Sequence, residues 1–114
     1  VARNKVAMRY KDSLSEYVKV PEVPSNIISA WAQYTITLKD RDKLQQALKL
    51  KGIPSVVYYP IPLSKQKGYS KYPSVSSGLI NSELLSLNVL SLPMHPYLRK
   101  SSQDFIINEI ISNL

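Results

Sequence analysis

The sequence predicts an α+β domain: a two-layer sandwich with helices flanking a three-stranded, mostly antiparallel sheet. Two periodicities and one ordering carry that prediction. Apolar residues recur three or four apart in Val6–Tyr17, Leu44–Leu48 and Phe105–Leu114, the spacing that lines one face of a helix. Ala32–Leu38 instead alternates strictly, the spacing of a strand buried on one side. Helical and extended segments then follow one another as αβαβ, a long loop, and αβα. At 114 residues there is enough chain for one apolar core, so a single domain over residues 1–114 is expected.

Asn4–Tyr17 opens as a helix with Val6, Tyr10, Leu14 and Tyr17 on one face. Proline disfavours helical geometry in the residue before it, so the helix stops before Pro21 and Pro21-Glu22-Val23-Pro24 is an extended connector. In the first strand Ala32, Tyr34, Ile36 and Leu38 face the core, against Gln33, Thr35 and Thr37. Asp40 is placed to accept the free N–H groups of a following helix, with Asp42 favourable in its first turn and Leu44, Ala47 and Leu48 as its buried stripe. Gly52 fits the left-handed position that ends such a helix, Pro54 cannot continue it, and Ser55–Tyr59 emerges as a second strand. Because a strand–helix–strand unit crosses over right-handed, a third strand fits between the first two, antiparallel to both. Ser64–Gly78, polar and broken by Gly68, Pro73 and Gly78, reads as a long loop. Asn81 or Ser82 caps a short helix holding Leu84 and Leu85, and Asn88–Leu92 is the third strand, ending at Pro93. Ser101 caps a last helix whose Phe105, Ile106, Ile107, Ile110, Ile111 and Leu114 form a broad apolar face.

Composition narrows the functional classes. An apolar fraction of 44% excludes wholesale disorder. No run approaches the ~18 consecutive apolar residues that cross a bilayer, so neither a membrane span nor a membrane partner is expected. With no cysteine and one histidine, disulfide staples, thiolate metal sites and a zinc or iron centre are not expected, and a cytoplasmic location is. The net charge of +7 points to anionic partners. That charge is spread, with five basic and two acidic residues in Val1–Val20, five and two in Lys39–Lys51, and three and none in Ser64–Tyr72. A nucleic-acid surface concentrates its cations beside exposed aromatics, so no nucleic-acid partner is expected.

No glycine-rich phosphate loop, paired-carboxylate motif or nucleophile beside a base is present, and no catalytic residue is assigned. His95, in Leu92-Pro93-Met94-His95-Pro96, has its backbone fixed between prolines. It is either a substrate-side hydrogen-bonding or proton-transferring group near neutral pH, or a structural histidine bonded to local backbone. Tyr58 and Tyr59 are adjacent in an extended segment, so their rings point opposite ways and at most one is in the core. The other offers a flat face to stack on a sugar or base and a hydroxyl to bond its oxygens; spacing alone leaves packing and binding equally open. Trp31 and Tyr34 are assigned to packing. Lys65, Lys67 and Lys71 are a solvated loop face or an anion contact.

Taken in order, Arg3 through Tyr10 with Leu14, Ala30-Trp31-Ala32-Gln33-Tyr34-Thr35-Ile36, Leu48 with Gly52-Ile53-Pro54-Ser55, Tyr58-Tyr59-Pro60-Ile61-Pro62-Leu63 and Leu90-Ser91-Leu92-Pro93-Met94-His95-Pro96-Tyr97-Leu98 resemble the C-terminal small domain of the DegT/StrS sugar aminotransferases. Those are pyridoxal-phosphate enzymes of fold type I, and the resemblance covers nearly the whole chain. It implies transfer of an amino group, usually from glutamate, to a ketone of a nucleotide-linked sugar. In the most similar members that sugar is a UDP-linked 3-keto sugar acid, used for bacterial surface polysaccharide such as lipopolysaccharide O-antigen.

The resemblance also implies a homodimer whose Schiff-base lysine, pyridine-nitrogen carboxylate and most phosphate contacts lie in a larger N-terminal domain outside this sequence. The chain, which begins at Val1 inside a helical pattern, is therefore expected to be a fragment of a polypeptide roughly two to three times as long, inactive alone. No cofactor-binding residue is assigned within it. Position by position, the family's aromatic–Tyr–Pro segment falls on Tyr58-Tyr59-Pro60, at a sugar-nucleotide pocket between subunits, with Tyr59 foremost. Similar members have histidine where this chain has Tyr58, which can stack or donate but cannot share a proton near neutral pH. The competing class is a basic binding or interaction module without catalysis, in the second case with the Phe105–Leu114 helix buried on a partner.

Overall fold

Tyr34, Thr35, Ile36 and Thr37 are all β-branched or aromatic, and the strand they form alternates buried and half-buried side chains as a one-sided strand should. The computed structural model describes residues 1–114, with α1 (Ala2–Leu14), β1 (Tyr34–Thr37), α2 (Arg41–Leu50), α3 (Ile80–Asn88), β2 (Val89–Leu92) and α4 (Lys100–Ser112). A short 3-10 turn covers Leu63–Lys65. β1 pairs antiparallel with β2, Tyr34 opposite Leu92 and Thr37 opposite Val89.

The α+β class is as expected, but the sheet has two strands and not three. The expected strand Ser55–Tyr59 is reduced to one bridge, in which Val56 and Ser91 exchange N–H···O bonds of 3.1 and 2.8 Å. Pro54, Pro60 and Pro62 flank that bridge and have no N–H to extend a ladder. β2 therefore lies between β1 and the Val56 segment, antiparallel to each, and all four of its residues are buried. On the other edge of β1, Thr37 makes a matching bridge to Lys19.

Helix ends differ from expectation more than helix identities do. α1 stops at Leu14, burying Val6, Ala7, Tyr10 and Leu14 but leaving Tyr17 exposed. Asp40 precedes α2 as expected, yet its carboxylate makes no capping bond. A side-chain cap needs extended backbone at that position, and Asp40 is left-handed, with φ 54° and ψ 32°. α3 and α4 begin after Leu79 and Arg99, not after Asn81, Ser82 or Ser101. The Glu83 N–H bonds the Leu79 carbonyl, and Lys100 pairs with Asp104 one turn along α4, so each first turn forms upstream of the expected serine or asparagine. Asn88 ends α3, which runs into β2 without a loop.

The core gathers Tyr10 and Leu14 of α1, Tyr34 and Ile36 of β1, Leu44 and Leu48 of α2, Leu90 of β2 and Ile106, Ile107 and Ile110 of α4. Phe105 and Leu114 are half exposed, so the apolar face of α4 is narrower than its composition suggests. Because its isoleucines are buried within the chain, an interaction module built on that helix loses its motive. Two aromatic contacts run through the core, Tyr10 to Tyr34 at 5.0 Å and Trp31 to Tyr34 at 5.4 Å between ring centres. Both Trp31 and Tyr34 thus pack, as expected. No helix is long and apolar enough to cross a membrane.

Candidate functional site

The chain leaves the Val56 bridge through Tyr58 and Tyr59, and Pro60 and Pro62 then deny it further ladder bonds. It turns at Leu63–Lys65, where the Lys65 N–H closes on the Pro62 carbonyl at 2.9 Å. The turn is tied to α3 by an ion pair of 2.9 Å between Lys65 and Glu83. Between the Tyr58–Leu63 segment and α3 lies a cleft of about 440 Å³. Its walls are Tyr58, Tyr59, Ile61 and Leu63 on one side and Ser82 and Leu85 of α3 on the other, with Gln66 at the turn. Pro62, together with Ser86 and Val89 at the junction of α3 and β2, completes it.

Neither tyrosine is in the core: Tyr58 is 44% exposed and Tyr59 68%. Nor do the rings diverge, since they meet edge to face with centres 5.6 Å apart across a cis peptide bond. Strand alternation does not govern them, because the ladder ends at Val56. Two exposed aromatic rings with hydroxyls, an amide and a serine hydroxyl beside an apolar wall can stack on a flat ring and bond its oxygens.

His95 is not part of this cleft. β2 runs from Val89, on the cleft, to Leu92 at the other end of the sheet, and His95 lies beyond that end. There it lines a separate hollow of about 510 Å³ with Lys51, Ile53, Ser101 and Phe105. Its Nδ1 accepts the Tyr97 N–H at 3.2 Å, which is the local backbone bond of the structural alternative. Of the three candidates, the structure brings together Tyr58 and Tyr59 only. The lysines of the loop do not converge either: Lys65 is paired with Glu83, Lys71 sits 5.8 Å over the Tyr72 ring, and Lys67 is exposed. They are a solvated face.

Sequence reasoning missed Arg41, which is 5% exposed and bonded through all three of its guanidinium nitrogens. Its Nη1 donates to the Val89 carbonyl at 3.0 Å, Nη2 to the Ser86 carbonyl at 3.1 Å, and Nε to Asp42 at 2.6 Å. The signal was present, since Arg41, Leu44 and Leu48 are three and seven residues apart on one helical stripe. Gln66, Ser82 and Ser86 carried none, being ordinary polar residues of a loop and a helix. Burial, and secondly the Asp12 carboxylate, pushes the Tyr34 hydroxyl up to about 12, and burial raises that of Tyr10 further. Both belong to the core, not the cleft.

Residues 1–111 match the DegT/DnrJ/EryC1/StrS aminotransferase family. Among curated proteins the chain is similar to the UDP-2-acetamido-2-deoxy-3-oxo-D-glucuronate aminotransferase of Pseudomonas aeruginosa, 40% identical over 88% of this chain and 27% of that protein. Among solved structures it is similar to a DegT DnrJ EryC1 StrS aminotransferase from Brucella abortus, with a TM-score of 0.94 and 49% identity over 97% of this chain and 30% of that one. NtdA from Bacillus subtilis, solved with the cofactor PMP bound, superposes with a TM-score of 0.79 at 25% identity, over 97% of this chain and 27% of its own. The chain thus spans under a third of the length of these relatives.

Proposed function

The chain belongs to the DegT/DnrJ/EryC1/StrS aminotransferase family, and from that premise we propose that it is the C-terminal, substrate-side lobe of an enzyme that aminates a nucleotide-linked keto-sugar. The observation that carries this reading is the exposed Tyr58–Tyr59 pair walling a cleft of about 440 Å³. A sugar or base ring stacks on the Tyr59 face, while the Tyr59 hydroxyl, the Gln66 amide and the Ser82 hydroxyl bond its oxygens. Similarity to the Pseudomonas enzyme favours a UDP-linked 3-keto sugar acid. Glutamate as amino donor, a homodimer that completes the pocket, and cytoplasmic synthesis of bacterial surface polysaccharide belong to the same proposal.

The reaction class calls for pyridoxal phosphate, whose chemistry when bound is to stabilise negative charge next to the amino-bearing carbon. The cleft does not fit that cofactor. It has no lysine to form an imine and no carboxylate for a pyridine nitrogen, and Lys65 and Glu83 at its rim are paired with each other. We therefore assign the cofactor to the part of the protein outside this sequence. This lobe's own task is to bind and orient the sugar and to exclude water from it.

The test is the full-length protein with pyridoxal phosphate, glutamate and a UDP-linked keto-sugar, with formation of the amino sugar as the readout. In that assay Tyr59→Ala is expected to raise the Michaelis constant for the sugar about tenfold, the loss of one aromatic anchor, while leaving that for glutamate alone. An unchanged constant for the sugar removes Tyr59 from the site.

A further inference from the structure

Arg41 lies outside the cleft, yet both carbonyls it holds belong to residues that line it, Ser86 and Val89. We propose that Arg41 is a positioning residue for the sugar nucleotide: without touching the ligand, it fixes the α3–β2 junction that forms one end of the Tyr58–Tyr59 cleft. The proposal rests on the sugar-nucleotide reading of that cleft.

Three features make the junction dependent on this side chain. Ser86 is in the last turn of α3, where carbonyls have no partner within the helix, and a cation there also meets the negative end of the helix dipole. The next residues turn straight into a strand, so no loop absorbs a displacement between Ser86 and Val89. A guanidinium is a planar fork that spans two acceptors at once, whereas an ammonium is a point donor. The hold also extends outward: the Ser86 hydroxyl donates to the Glu83 carbonyl at 2.7 Å, and the Glu83 carboxylate is the partner of Lys65 in the Leu63–Lys65 turn. Arg41 thus anchors the inner end of a chain of contacts whose outer end is the turn that carries Leu63.

A stabilising role alone would make Arg41 equivalent to any other well-bonded arginine. Arg9 provides that comparison, since it bonds Gln103 and pairs with Asp104 on the α1–α4 seam and lines no part of the cleft. Michaelis constants and turnover are to be measured on the full-length enzyme, well below its melting temperature, for Arg41→Met, Arg41→Lys and Arg9→Met. Arg41→Met is expected to raise the constant for the sugar nucleotide about tenfold, as small misplacements of a binding wall do, with that for the amino donor unchanged. Arg41→Lys, keeping the charge but not the fork, is expected to raise it about threefold. Arg9→Met is expected to lower the melting temperature and leave the sugar constant at the wild-type value. Should Arg41→Met fail to fold, Arg41→Lys decides alone. A wild-type sugar constant in the Arg41 variants, or an equal rise in Arg9→Met, overturns the positioning role while leaving the sugar-nucleotide reading intact. A wild-type enzyme that aminates no nucleotide-linked keto-sugar overturns that reading and this proposal with it.

Discussion

Tyr34 shows what one residue contributes beyond its place in a pattern. Alternation in Ala32–Leu38 is enough to put its ring in the core, where it is fully buried between Tyr10 and Trp31. Its hydroxyl, however, is the one buried side-chain polar atom without a hydrogen-bond partner, whereas the Tyr10 hydroxyl donates to the Pro93 carbonyl at 3.0 Å. An unpaired buried hydroxyl loses its water without compensation, so Tyr34→Phe is expected to be neutral or stabilising, by up to about 1 kcal/mol at neutral pH. The same burial gives a sign to the alkaline behaviour. In the folded chain Tyr34 is pushed up to about 12, so between its ordinary value and that one the unfolded chain has lost a proton the folded chain keeps. Stability is then complete below about pH 10 and falls as pH rises towards 12. Denaturant midpoints measured from about pH 8 to about pH 11.5 should fall less steeply in Tyr34→Phe than in the wild type, Tyr10 supplying the remaining slope. Equal slopes would mean that Tyr34 ionises as freely in the fold as out of it. Burial was legible here, but hydrogen-bond satisfaction depends on neighbours distant in sequence; Pro93 is 83 residues from Tyr10.

At the scale of elements, the α1–α4 seam depends on a polar residue that periodicity passes over. Gln103 is 1% exposed, donates to the Val6 carbonyl at 2.8 Å and accepts from Arg9 at 3.3 Å. Gln103→Ala removes both bonds and opens a void between the helices, an expected cost of about 2 kcal/mol, read as a lower melting temperature with the helical signal retained. A melting temperature like that of the wild type would show that water replaces the amide. The helices themselves were readable because three- and four-residue spacing of apolar side chains survives any detail of their ends. Their ends were not, because a serine or aspartate signals a cap only if the backbone before the helix is extended, and Asp40 is left-handed. The same limit removed the expected strand Ser55–Tyr59. Side-chain character favoured it, but only Val56 pairs with Ser91, and Pro54, the next bonding position on one side, has no N–H to extend the ladder.

For the whole molecule, the order of the helices and the central place of β2 followed from the sequence; the facing of Tyr58 and Tyr59 onto one cleft and the partition of His95 from that pair did not. Which end of a sheet a residue occupies depends on register, and Leu92 pairing with Tyr34 puts His95 at the end away from Val89. The fold also leaves more surface than its size requires. Its accessible area is 8215 Å², where a compact monomer of this mass exposes about 6300 Å². Its radius of gyration is 15.7 Å against about 13 Å for a compact domain of this length. Part of the excess is apolar and contiguous: Ile80, Leu84 and Leu87 follow helical spacing on α3 and are 64%, 52% and 64% exposed, beside Leu85 and the exposed Tyr59 of the cleft. Apolar patches of that kind drive association when nothing covers them. The isolated 114-residue chain is therefore expected to bind an apolar fluorescent dye and to self-associate as its concentration rises, by sedimentation equilibrium. Replacing both Leu84 and Leu87 by Lys should suppress both effects without unfolding the chain, because neither side chain belongs to the buried core. A monodisperse chain with no dye binding, or an associating one indifferent to the two lysines, would show that this face of α3 does not drive association.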